Sequence, residues 1–208
     1  MQVPSQPDPQ GGGTSNAPQA MPSEAHQLMA LATMHAQGRF VPSTFDEKWE
    51  GTPDVATHIT NSAQKYGFNP ATLQAIADIE SSGNPNSNKG NLTNSHKGLF
   101  QLGKDEWNEN KPDSGDIYSA RDNADAAGKL LAGHRDWFEQ RFGHDPSDAE
   151  LYMMHQQGRG FFTKGTLINA RGNPYPGMRG SQTPESFIAG WGRELEKRKQ
   201  QFKGDSGV

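Results

Sequence analysis

The stretch Phe68-Asn-Pro-Ala-Thr-Leu-Gln-Ala-Ile-Ala-Asp-Ile-Glu80-Ser-Ser-Gly83 decides how the chain reads. Asn69 has the side chain of an N-cap, Pro70 suits the first helical position and Gly83 is a stop signal. Leu73, Ile76 and Ala77 form an apolar stripe at helical spacing, and the next position of that series is Glu80. A carboxyl group therefore stands where the pattern asks for an apolar residue. It also stands in the last turn, where the helix dipole disfavours negative charge. Burial and dipole both push a carboxyl pKa upward, toward an acid that still holds its proton near neutral pH. A general acid has that property. Two plainer readings stay open at this point: a Glu paired with Lys or Arg, or one pointing past the helix end.

The 208 residues around this helix give room for one domain of ordinary size plus tails. Apolar content of 31%, with 24 Gly and 14 Pro, predicts a modest core, long loops and at least one disordered segment. A net charge of −4 and a pI of about 6.0 argue against a general nucleic-acid binder. The absence of cysteine excludes a disulfide framework, a thiolate nucleophile and a zinc–thiolate site. No run is apolar for long enough to span a membrane, and the first ten residues lack the basic and apolar regions of a secretory signal. No cofactor is implied. His26 and His35, nine apart, do not share a helix face and so do not make a metal pair.

In chain order, residues 1–22 read as a flexible Pro/Gln/Gly-rich tail. Residues 23–50 read as an N-terminal helix and a linker with Phe40, Phe45 and Trp49. Thr52-Pro53 opens a helix with Val55, Ile59, Ala63 and Tyr66 that stops at Gly67, giving a helical hairpin with the Glu80 helix. An Asn/Ser/Gly-rich loop follows, ending in a short extended piece over 98–102. Beside a buried acid such a loop suits sugar hydroxyls, although its composition alone fits an ordinary surface loop. Trp107 marks a short helix, and 120–142 a long one with Ala127, Leu131, His134 and Phe138 on one face. Ser147 and Glu150 make a capping box for the helix that stops at Gly158, and 159–164 adds a turn or two. Thr183-Pro184 starts a last amphipathic helix with Phe187, Ile188, Trp191 and Leu195. Its basic Lys197-Arg-Lys199 end suits its own C-terminal dipole. The fold class is mainly α, with 51–165 as the domain and 166–208 as a loop and helix packing on it.

Three features recur in a fixed order: Glu80-Ser81 at a helix end, Gly98-Leu99-Phe100-Gln101 after an Asn/Ser loop, and Tyr152-Met-Met-His155-Gln156-Gln-Gly158 closing a capped helix. In that order and spacing the chain resembles the lysozyme-like lytic transglycosylases, over about residues 53–165. The resemblance implies a lysozyme-like α-helical domain with a short extended segment, and peptidoglycan glycan strands as substrate. It makes Glu80 the acid and base. Ser81 and Gln101 would bond the substrate or orient the loop, and Gly98 would let the backbone approach a sugar. Leu99 and Phe100 belong to the same segment, Phe100 as a surface for a sugar face. His155 falls where the family has Tyr and Gln156 where it has Asn, so both are substrate-site candidates, and His155 is expected to be neutral. His96 and His134 receive no role.

A similar helix end, with Leu-Tyr and a His before the closing Gly, occurs in transglycosylase-like proteins of phages and of some bacteria. The missing secretory signal, the disordered head and a peptidoglycan-cleaving core together fit a virion protein acting on the host cell wall, with residues 1–50 or 166–208 facing other virion proteins. A bacterial enzyme exported without a standard signal is the alternative location. The rival functions are a hydrolytic lysozyme similar to the goose type and a non-catalytic glycan-binding or structural component.

Overall fold

The computed structural model of the chain describes residues 52–165, 167, 174–179 and 182–203. The readings made for 1–22 and 23–50 lie outside these residues, as does part of the loop 166–183. The described part is built from α1 (Pro53–Tyr66), α2 (Pro70–Ser81), α3 (Lys104–Asn110), α4 (Ala120–Phe142), α5 (Asp148–Gln157), α6 (Gly160–Lys164) and α7 (Pro184–Lys203).

Local chemistry sets the boundaries. Thr52 caps α1 by accepting from the Val55 N–H, and Gly67 closes it in the left-handed conformation. Asn69 accepts from the Ala71 N–H at 2.9 Å to start α2. That helix ends at Ser82, one residue before the expected glycine, with φ of 53° at Ser82 and 76° at Gly83. Two left-handed residues in succession turn the chain away directly after Glu80 and Ser81. The capping box on α5 forms as its sequence requires, with the Ser147 N–H donating to Glu150 at 2.7 Å.

The extended piece expected over 98–102 reduces to a single antiparallel bridge between Lys97 and Leu102, with a turn between them. No strand occurs among the described residues. A five-residue segment between two glycines has no neighbouring strand to complete its hydrogen bonds, so it closes on itself instead.

α2 runs through the centre of the core. Leu73, Ile76 and Ala77 are fully buried as the stripe demands, but Thr72, Ala75 and Asp78 are buried too. The helix is enclosed on more than one side because α1 packs along it and α7 returns to cover it. α1 also crosses α4 closely at Gly128. A Cβ there would stand 2.3 Å from the Ser62 hydroxyl oxygen, which itself donates to the Ala124 carbonyl.

α7 corrects one expectation. It continues to Lys203, and its basic residues do not serve its own end. Arg198 lies on the apolar series Ile188, Trp191, Leu195, so it points into the protein. It donates to Asp78 of α2 at 2.7 Å and to Glu194 at 2.8 Å, all three side chains being buried. Lys199 reaches Asp148, which also accepts from Thr72 of α2 at 2.9 Å. Trp191 packs edge-on against Tyr152 of α5, with ring centroids 5.7 Å apart. The final helix thus grips α2 and α5 together.

Candidate active site

Glu80 is half-buried in the last turn of α2, where α5 and the 98–102 loop meet it. The Tyr152 hydroxyl donates to its carboxylate at 3.0 Å. One turn along α5, the Gln156 amide donates to that same hydroxyl at 3.0 Å. A phenol has one proton, so Gln156 directs it at Glu80. Burial raises the Glu80 pKa above the usual carboxylate value, and a charge on His155, the Tyr152 bond and His96 act against it. Glu106 adds to the rise. Burial and the Glu80 charge hold the Tyr152 phenol well above its ordinary range, so it stays a donor. The site therefore offers a carboxyl group that keeps its proton toward neutral pH, with a fixed donor on one oxygen.

The 98–102 loop is pinned from three helices. The Ser81 hydroxyl of α2 lies 2.7 Å from the Leu99 carbonyl. Asn123 of α4 accepts from the Phe100 N–H at 2.8 Å and donates to the Ile117 carbonyl at 2.9 Å. His155 of α5 holds its Nε2 3.0 Å from the Phe100 carbonyl. Gln101, half-buried and left-handed with φ of 48°, bonds back to the Gly98 carbonyl at 2.7 Å and is met by the Asn88 amide.

Several of the sequence-based roles change on this geometry. Gly98 has φ of 75°, and a Cβ there would meet Asn123 Nδ2 and the Ile117 carbonyl at 2.4 Å. The space it leaves is taken by α4, not kept for a sugar. Leu99 and Phe100 are fully buried, so Phe100 has no face to offer a substrate, and both act through their carbonyls. Ser81 serves the loop-orienting half of its expected role. His155 does not bond Glu80, because the loop carbonyl takes its Nε2. The donor to Glu80 is Tyr152, which sequence reasoning placed on the helix and passed over. Tyr152 and Gln156 are four apart, a pair that shares a helix face, and that spacing was the available signal.

Tyr152→Phe is expected to lower turnover on peptidoglycan by roughly tenfold, the value of a bond to a charged group. Its bond favours the ionised Glu80, so removing it lets Glu80 hold the proton to higher pH, and the alkaline limb of activity should move up. A limb that stays in place would show the bond to be incidental.

Away from Glu80, a cleft of about 480 Å³ opens between α1 and the start of α4, lined by residues that include His58, Asp113 and Arg121. Its charges include the Lys65–Asp125 and Arg121–Asp122 pairs, at 2.7 and 2.9 Å. Neither Glu80 nor Tyr152 lines it.

A half-buried carboxyl closing one helix, a tyrosine held against it from another and a loop locked beside both make up the candidate site. The family profile described as Transglycosylase SLT domain matches residues 57–152, and its members are lytic transglycosylases acting on peptidoglycan. Over that stretch, a little under half of its length, the chain is similar to those enzymes. None of the curated proteins compared with it is a match. The matched stretch stops at Tyr152, so Gln156, Arg159 and the whole of α7 lie beyond it.

Among the described residues no helix is long and apolar enough to cross a membrane.

Proposed function

We propose that Glu80 is the single acid and base of this lytic transglycosylase. The observation that carries the reading is the desolvated Glu80 carboxyl with its Tyr152 donor aimed by Gln156. As acid, Glu80 gives its proton to the oxygen bridging N-acetylmuramic acid and N-acetylglucosamine as the C1–O bond breaks. The substrate's own N-acetyl group assists at C1. As base, the carboxylate then takes the proton of the C6 hydroxyl, and that oxygen bonds to C1. The product ends in 1,6-anhydro-N-acetylmuramic acid, no water is consumed, and Glu80 is protonated again.

The nearby carboxylates support a single-acid route. Glu106 is the carboxylate whose charge bears on Glu80, yet it accepts from the Gly103 N–H at 2.8 Å as the cap of α3. A retaining hydrolase of the two-carboxylate kind needs its second group beside the sugar. The half-exposed Gln101 is the loop side chain proposed to meet a sugar hydroxyl. Digestion of purified peptidoglycan followed by mass spectrometry of the muropeptides tests the reading. Anhydro ends, one water lighter, are expected; reducing ends would make the enzyme a hydrolase, and no release would favour a glycan-binding component.

Carriage of the enzyme in a phage particle, for local breach of the host wall during genome delivery, is proposed with it. Its support is the similarity of the helix end Leu151-Tyr152 with His155 before Gly158 to phage transglycosylase-like proteins. The flanking segments 1–50 and 166–208 would then meet other virion proteins. Purified particles lacking the protein would leave the bacterial, exported alternative.

A further inference from the structure

Tyr152 reaches Glu80 from one helix to another, and its side chain is fully buried. A tyrosine has several staggered rotamers, and a hydrogen bond weakens steeply once its donor is displaced. The 3.0 Å bond to the Glu80 carboxylate therefore depends on what holds the ring. Two neighbours come from its own helix: the Gln156 amide on its hydroxyl, and the His155 ring 6.5 Å away and tilted by 38°. Both travel with α5, so neither fixes the ring relative to α2. Trp191 comes from elsewhere. It meets the Tyr152 ring at 5.7 Å between centroids with the planes 71° apart, an edge-to-face arrangement that aromatic pairs favour.

Trp191 is itself seated on further rings. Phe187, one turn earlier in α7, lies 6.4 Å from it at 68°, and Tyr175 lies 6.4 Å from Phe187 at 75°. Tyr175 also rests directly on the α7 backbone, since a Cβ at Gly190 would stand 2.2 Å from its Cγ. All four rings are buried. The Trp191 indole N–H is buried without a hydrogen-bond partner, so packing alone locates this side chain. The run Tyr175–Phe187–Trp191–Tyr152 ends on the carboxyl group of Glu80, and its first three members lie beyond the matched residues 57–152.

We propose that Trp191 is a positioning residue for the reaction, its ring holding the Tyr152 hydroxyl on Glu80. It acts through Tyr152, and α7 is then part of the working site. The effect on turnover rests on Glu80 being the acid; the placement of Tyr152 does not. The charged and titratable groups that bear on the Tyr152–Glu80 pair are His155 of α5, His96 of the loop, Glu106 of α3 and Arg198 of α7.

A double-mutant cycle on the full chain gives the first test, with kcat and KM measured on peptidoglycan well below each variant's melting temperature. Trp191→Leu is expected to lower kcat by roughly fivefold, inside the roughly tenfold loss of Tyr152→Phe, and to leave KM within about twofold. In the Tyr152→Phe background the same change should cost nothing further, because the hydroxyl that Trp191 positions is gone. Trp191→Phe keeps an aromatic ring against Tyr152 and should return kcat to the wild-type value. Equal losses in both backgrounds, or a Phe variant no better than Leu, mean a general loosening of α7 and overturn the proposal. Carboxyl-carbon NMR of Glu80 in the labelled full chain gives a readout apart from turnover. The Tyr152 bond favours the ionised carboxylate, so Trp191→Leu should raise the Glu80 titration midpoint as Tyr152→Phe does. An unmoved midpoint overturns the proposal. A raised midpoint with unchanged kcat upholds the placement of Tyr152 and removes Glu80 from the acid role instead.

Discussion

Glu80→Gln is expected to reduce peptidoglycan cleavage by about 10³-fold or more, since on the proposed route one side chain supplies both proton transfers. The replacement keeps an oxygen to accept from Tyr152, so the fold and the Tyr152–Gln156 arrangement should persist. Stability carries an independent sign. The folded protein holds the Glu80 proton more tightly than the unfolded chain does, so ionising this group in the fold costs stability. That cost is absent below the ordinary carboxylate pKa and grows as pH rises through the raised, folded value. Glu80→Gln should therefore melt no lower than wild type near pH 4 and higher than wild type at pH 8. Residual cleavage within tenfold of wild type would remove Glu80 from the acid role, whatever the melting curves show.

The second large effect concerns stability. Arg198→Ala leaves Asp78 and Glu194 buried without their cation, and breaking a buried pair in this way costs about 3–5 kcal/mol. For a chain of this size that corresponds to a melting temperature lower by roughly 10 °C. Replacing all three groups with apolar residues of similar volume should recover most of the loss, because the destabilisation comes from stranded charge. A single Arg198→Ala variant that melts within about 2 °C of wild type would show that the pairs are solvated and weak. Undocking of α7 would also expose the edge of Tyr152 that Trp191 covers.

Helix order, caps and stops were legible because each depends on local chemistry. Asn69, Ser147 and Gly67 act where the sequence places them. Glu80 was legible as an interruption of an apolar series. Arg198 interrupts the series of α7 in the same way, and the same rule would have found it had the basic run not offered an easier account. The partners of these interruptions were not legible, since the ion pair to Asp78 joins residues 120 apart. Roles borrowed through the 98–101 motif failed at Gly98 and Phe100 for a related reason. Only the packed structure shows that α4 fills the room at the glycine and that the aromatic ring is enclosed. The donor to Glu80, Tyr152, lies three residues before His155, which the motif singled out on the same helix.

The grip of α7 has a consequence for timing. The helix that bears the acid is emitted early in synthesis, and its buried Asp78 meets its counter-ion only once Arg198 has been added. Contacts of such long sequence separation form late, after the intervening chain has been ordered. A nascent chain that has reached only the end of the matched stretch lacks the closing helix that braces Tyr152 and neutralises Asp78. The candidate site thus gains its brace from a helix that is made after all of its own side chains.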